Sequence, residues 1–325
     1  MKIATLDEIK RILPSLDLIP AMEKGFAAYS SGRATVPPVG EIILDKGEVH
    51  IKSGFIEGEE FYVVKIASGF YGNASLGLPS GNGCMLLFKQ QTGEPAGVLL
   101  DEGHLTNVRT AVAGAIAAKY CAPRKVERIG IVGAGVQARI QLEWLARVSA
   151  CRDVLVWSPL AAELMSYERD MASHGFSVET TLDAAAILKT CNLVVTATPS
   201  KTPLLSAADL RPGTHITAVG SDTPDKQELD SDILAKADLV VADSLAQCRL
   251  RGEIHKALEA GRIREDRCVE LGAIIAGRDR ARTSESQITV VDLTGVAVQD
   301  IEIATSVYRA LLRPTEATRP RGMKI

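Results

Sequence analysis

Apolar residues near the start of the chain fall at turn-like spacing: Ile9, Ile12, Leu13, Met22, Phe26 and Tyr29. This predicts two short helices between Thr5 and Ser31, set around Pro14 and Pro20. From Ala34 to Leu100 the texture changes to short β-rich runs: Glu41-Ile42-Ile43-Leu44, Val49-His50-Ile51, Phe61 to Ile66, Cys84 to Phe88 and Gly97 to Leu100. Turn signals such as Asp45-Lys46-Gly47 and Gln91-Thr92-Gly93 separate them. An antiparallel sheet or half-barrel is expected. An alanine-rich helix then runs to Tyr120, with Thr106 as its expected N-cap and Arg109 in its first turn. A cation there opposes the helix dipole. Arg109 is therefore either a solvated arginine or one that reaches a cleft and holds a carboxylate bidentately.

Pro123 breaks the chain, and beyond it strands and helices alternate. Strands are expected at Val154 to Trp157, Ser177 to Glu179, Leu193 to Thr196, His215 to Val219, Leu239 to Val241 and Ile288 to Val291. Helices are expected at Leu160 to Ser173, Thr181 to Lys189, Ser231 to Ala235, Gln247 to Arg251, Glu253 to Ala260 and Val298 to Leu312. Such alternation predicts a parallel sheet with ligands at the carboxyl ends of its strands. The fold class is thus α/β: a Rossmann-type doubly wound parallel sheet over residues 123–296, plus an α+β unit over residues 1–122. The C-terminal segment 297–325 is expected to pack back on the first unit.

The strongest local signal is Arg128-Ile129-Gly130-Ile131-Val132-Gly133-Ala134-Gly135-Val136-Gln137-Ala138-Arg139, a buried strand, a glycine turn and an amphipathic helix. Gly133 permits the turn and Gly135 lets backbone approach a pyrophosphate. The small Ala138 lets helix and strand pack, and the helix N-terminus faces the anion, with the amides of Gln137 and Ala138 available to it. Nicotinamide folds usually end the second strand with an acid for the ribose hydroxyls or an arginine for a 2′-phosphate. Here the strand ends Val156-Trp157-Ser158-Pro159, and Asp153 stands at its other end. Ser158 can hydrogen-bond a ribose hydroxyl or a phosphate, and Arg139 lies in the phosphate-side helix. NAD and NADP both stay open.

A chain of 325 residues is long enough for two cores, and a net charge of −3 without a basic block argues against nucleic acid. The Arg/Lys-containing tail after Leu312 reads as a solvated terminus. The start of the chain lacks a signal-peptide pattern and no run is long and apolar enough to span a membrane, so a cytoplasmic protein is expected. Six scattered cysteines fit reduced thiols, and five histidines show no ligand spacing, so no metal is expected.

Several stretches resemble the ornithine cyclodeaminase/μ-crystallin family: Val64-Lys65, Leu105 to Thr110 with its alanine-rich helix, Gly133 to Ala138, Gly220-Ser221-Asp222 followed by Lys226-Gln227-Glu228-Leu229, and Gly295 to Asp300. They run in the family's order over nearly the whole chain. The resemblance implies that the first unit binds substrate and forms a homodimer, partly through its β-rich segment, and that a nicotinamide cofactor serves hydride exchange at the α-carbon of an amino or imino acid. Asp222 then looks like the acid/base residue, and Lys65 is the second catalytic candidate. Arg109, Lys65 and Lys52 look like carboxylate or polar-group ligands. The cofactor falls to Gly133, Gly135, Val136, Gln137 and Ala138, with Ser158 and Thr110. Read by themselves, Asp222 also fits an N-cap and Lys65 a solvated strand lysine. Asn82, in Pro79-Ser80-Gly81-Asn82-Gly83, fits a polar ligand contact or a plain loop.

Many members carry an arginine just after the proline-rich bend as a carboxylate ligand, whereas this chain reads Val36-Pro37-Pro38-Val39-Gly40-Glu41. The expected activity is NAD(P)H-dependent reduction of an α-imino acid. The alternatives are a cyclodeaminase that uses bound NAD within one turnover and a non-catalytic, crystallin-like NADP-binding protein.

Overall fold

The computed structural model describes residues 1–313. The tail after Leu312 therefore lies outside the described residues from 314 onward, as does the end of the 297–325 segment.

Two sheets organise the chain. In the first part, β1 (Lys2–Ala4), α1 (Leu6–Ile12) and α2 (Leu18–Ser30) precede the strands β2 (Ala34–Thr35), β3 (Gly40–Leu44), β4 (Gly47–Ile56), β5 (Phe61–Gly69), β6 (Gly81–Lys89) and β7 (Pro95–Leu99). The two expected N-terminal helices are present, joined by a short 3-10 turn at Leu13–Ser15. The sheet order is β1-β7-β6-β5-β4-β2, with β3 paired to β4, and only the β1 pairing is parallel. The run at Val49-His50-Ile51 is one part of the long β4. Asn82, for which a plain loop was one of two readings, lies at the start of β6.

Then α3 (His104–Cys121) carries the chain across to the second part. Its start corrects the expectation of a Thr106 cap. The helix begins at His104, and the buried Asp101 carboxylate accepts the Leu105 N–H at 2.8 Å. Arg109 consequently sits beyond the first turn. Alanines 111, 113, 115, 117 and 118 are buried, and their small side chains let α3 pack closely on neighbours on several sides.

The second part comprises β8 (Ile129–Val132), α4 (Val136–Leu145), β9 (Asp153–Trp157), α5 (Ala161–Ser173), β10 (Ser177–Thr181), α6 (Ala185–Thr190), β11 (Leu193–Thr196) and β12 (His215–Ala218). It continues through α7 (Ser231–Lys236), β13 (Leu239–Ala242), α8 (Leu245–Cys248), α9 (Gly252–Glu259), β14 (Cys268–Glu270), α10 (Leu271–Ile275) and β15 (Thr289–Asp292). The helix expected from Thr181 starts only at Ala185, because Thr181 still pairs with Trp157 on β9. β1, β14 and α10 were not expected, being too short to show a period.

All eight strands of this sheet run parallel in the order β10-β9-β8-β11-β12-β15-β13-β14, a Rossmann-type arrangement. Strands β8, β11, β12, β13 and β15 are buried at every residue, which explains their continuous rather than alternating apolar runs. The order reverses between β8 and β11, and a crevice opens at that point. Finally α11 (Ala297–Leu312) packs against α2, α3, β4 and β5 and brings its first turn under the first sheet.

Candidate active site

The cleft is built where β4, β5 and α3 face the loops that follow β12 and β15. Lys52 on β4 and Lys65 on β5 are cross-strand partners, and both are buried. Two like charges directly opposed in a sheet are unfavourable unless each finds its own partner. Lys65 Nζ lies 3.0 Å from the carboxylate of Asp300, in the first turn of α11. Lys52 Nζ donates to the carbonyls of Thr294 and Gly295 at 3.1 and 2.6 Å. Arg109 is buried rather than solvated: its Nη1 donates to Gln299 Oε1 at 2.7 Å and its Nε lies 3.2 Å from Asp300 Oδ1.

This crowding depresses both lysines. Burial, then the Arg109 guanidinium, pushes Lys65 down to about 7 against the pull of Asp300. The same two causes push Lys52 down to about 8. The turn that receives Lys52 is itself held from below, since Asp243 accepts Thr294 Oγ1 at 2.9 Å and the N–H groups of Gly295 and Val296 at 2.6 and 3.2 Å.

Asp222 enters from the loop after β12. Its side chain is 49% exposed and its Oδ1 accepts Lys226 Nζ at 2.7 Å. Desolvation pushes its carboxyl up, but Lys226 outweighs this, with Lys52 and His50 adding to it, and holds the net value below the usual aspartate range. Asp222 is thus ionised at neutral pH, and it follows β12 in a loop rather than capping a helix.

Lys52, Lys65, Arg109 and Asp222 line one cavity of about 200 Å³, together with Glu48, His50, Thr106 and small residues such as Ala67 and Gly81. Asn82 lies instead on a neighbouring cavity of about 430 Å³, whose wall reaches Thr106, Asn107 and Val136; its Oδ1 accepts the N–H of Gly83 at 2.7 Å.

Several residues of this region escaped the sequence reading. His50 lies 3.7 Å from Glu41 and 3.6 Å from Glu48, with desolvation lowering its pKa first of all. Arg251, from the loop before α9, pairs with Glu41 at 2.9 Å and donates to the Asp222 carbonyl at 3.3 Å. An arginine is therefore present beside Glu41, delivered from the other part of the chain. Glu228 accepts Thr196 Oγ1, Thr198 N, Thr198 Oγ1 and Gly220 N at 2.7, 2.6, 2.8 and 2.8 Å, tying together the loops that follow β11 and β12. The only advance signal was the Lys226-Gln227-Glu228-Leu229 motif.

The glycine turn fits a dinucleotide. Gly133 has φ +107, and a Cβ there would meet Ala197 O at 2.8 Å, whereas a Cβ on Gly135 would meet open space. Gly135 precedes α4 without a side-chain cap, so the first-turn amides of Val136, Gln137 and Ala138 are left to an anion. The Gln137 side chain reaches across to Asn107, donating to its carbonyl at 3.1 Å. Thr110 spends its hydroxyl on the Thr106 carbonyl at 2.8 Å, and Ser158 donates to Glu163 at 2.8 Å. Among the described residues, no group of three or more histidine, cysteine or acidic side chains is arranged to hold a metal, and no helix is long and apolar enough to cross a membrane.

Known proteins match this chain over nearly its full length. Residues 1–314 match the ornithine cyclodeaminase/mu-crystallin family. An uncharacterized cyclodeaminase of Sinorhizobium fredii is 43% identical over 316 residues, covering 95% of each chain. An archaeal alanine dehydrogenase dimer with bound NAD superposes with a TM-score of 0.88 at 33% identity, over 96% of each chain. The Thermococcus litoralis Δ1-pyrroline-2-carboxylate reductase in complex with NADH and L-proline gives a TM-score of 0.91 at 28% identity, over 96% of this chain and 98% of that one.

Proposed function

The chain belongs to the ornithine cyclodeaminase/mu-crystallin family, and from that premise we propose that it is a nicotinamide-dependent reductase that converts a small α-imino acid to the amino acid. The observation that carries this reading is the single cavity in which three cationic side chains of the first part face an ionised Asp222 of the second.

A bound nicotinamide supplies the hydride. The protein's share is electrostatic and positional. Arg109, Lys65 and Lys52 hold the substrate carboxylate, their positive charge exceeding what Asp300 neutralises. Hydride adds readily to a carbon–nitrogen double bond only when the nitrogen is protonated, and an anionic Asp222 beside that nitrogen stabilises the iminium and manages its proton. The cavity volume, about 200 Å³, is below that of drug-sized sites, and the small residues on its walls suit a compact substrate.

Glu48 on the same wall favours a second reading. A carboxylate there would accept the distal amine of a diamino acid, as a cyclodeaminase requires.

Nicotinamide absorbance decides between them, with NADH and NADPH tested separately against pyrroline-2-carboxylate, piperideine-2-carboxylate, iminosuccinate and pyruvate plus ammonia or methylamine. Rapid oxidation with one of them is expected. Ammonia release from ornithine or lysine with catalytic NAD, and no oxidation in the first assay, would move the function to the lyase. Cofactor binding without turnover in either assay would leave a non-catalytic binding protein.

A further inference from the structure

β9 ends without the acid or arginine that ordinarily decides between NAD and NADP, yet a carboxylate stands at its carboxyl end. The N–H of Gly133 donates to the Trp157 carbonyl at 2.8 Å, so the end of β9 abuts the glycine turn. The next residue, Ser158, is buried; its hydroxyl donates to Glu163 Oε2 at 2.8 Å and accepts the Leu160 N–H at 3.3 Å. Glu163 lies in the first turn of α5 and is exposed. The Ser158 proton is therefore committed to Glu163, and Pro159 has no N–H to offer a phosphate.

Arg139, the one lysine or arginine within α4, is engaged on its own side: it lies over the Tyr167 ring, pairs with Asp170 at 3.0 Å, and donates to Ser166 Oγ at 3.2 Å and to the Ala134 carbonyl. Among the described residues Glu163 forms no ion pair with a lysine or arginine.

We propose that Glu163, held by Ser158 at the carboxyl end of β9, selects NAD(H) over NADP(H) by accepting the adenosine ribose hydroxyls and repelling a 2′-phosphate. The acid that Rossmann folds usually carry at the strand end is here supplied by the following helix and aimed by a buried serine. The inference rests on a nicotinamide dinucleotide at the glycine turn and not on the identity of the imino acid.

The test is fluorescence titration of the full chain with NADH and with NADPH, with no amino or imino acid present, so its outcome is independent of the reaction catalysed in the cleft. NADH is expected to bind at least about tenfold more tightly, the scale of one like-charge contact at a protein surface. Glu163→Gln should shrink that ratio several-fold by improving NADPH. Ser158→Ala keeps the charge while freeing the side chain, and should weaken NADH while NADPH stays disfavoured. Equal affinities in the unaltered protein would overturn the proposal whatever the variants do, as would an unchanged ratio in Glu163→Gln.

Discussion

Lys52 and Lys65 face each other across β4 and β5, both buried, one held by backbone carbonyls and the other by Asp300. Such a pair is costly to bury unless further negative charge is brought to it.

Substrate grip should weaken as pH rises. Lys65 titrates at about 7 and Lys52 at about 8, so KM for the imino acid is expected to climb at least about tenfold between roughly pH 6.5 and 9. Stability moves in the opposite direction. Both folded values lie below the ordinary lysine value, so these groups favour the folded state above the unfolded value, and that contribution is lost as pH falls through 8 and 7. Lys65→Met should lower kcat/KM at least about a hundredfold while leaving Tm unchanged or raised, because Asp300 keeps Arg109. A large drop in Tm would count against this account.

Asp222→Asn is expected to cut turnover at least about a hundredfold with NADH affinity preserved. Single-turnover rates and a cofactor titration separate the two effects. Near-normal turnover would remove Asp222 from the mechanism. Because Lys226 and its neighbours hold the Asp222 carboxyl below its usual range, its contribution to stability is present above the unfolded aspartate value and is lost only as pH falls through the folded one.

Gly295→Ala tests the turn that receives Lys52. With φ +85, an added Cβ would lie 2.7 Å from Arg109 Nη1 and 3.1 Å from Lys52 Nζ. Left-handed strain of about 1–2 kcal/mol should lower Tm by a few degrees. Displacement of both cations should raise KM by at least about an order of magnitude while kcat falls less. An unchanged KM would show that the carboxylate is held elsewhere.

Glu228→Gln probes the tie between the loops after β11 and β12. An amide nitrogen would face some of the four donors now aimed at the carboxylate, at an expected cost of about 2–4 kcal/mol by urea unfolding. Burial pushes Glu228 up to about 7 against those hydrogen bonds. Its folded value is raised, so the stability it contributes is full below the unfolded glutamate value and is lost as pH rises through 7. The decline in Tm between about pH 5 and 8 should be shallower in the variant, and a parallel profile would contradict this assignment.

Much of the architecture was legible because its signals are local. Each buried parallel strand is a short apolar run, and the glycine turn needs only neighbours in sequence to declare a strand, a bend and a helix. Short elements such as β1 and β14 gave no period to read. The start of α3 was misplaced because Thr106 is a good cap by type, whereas the acceptor used is Asp101, set before a glycine turn.

By itself the sequence determined the α/β class, the glycine turn and the residue types of the cleft, since periodicity and motif depend on positions a few residues apart. Only the tertiary structure decided how those residues are charged and held. Lys65 and Asp300 are 235 positions apart, and Arg109 and Gln299 are 190 apart. Those contacts exist because α11 returns beneath the first sheet, and long-range docking leaves no trace in local spacing. The same holds for Ser158, whose hydroxyl looked free for a ligand until α5 set Glu163 against it.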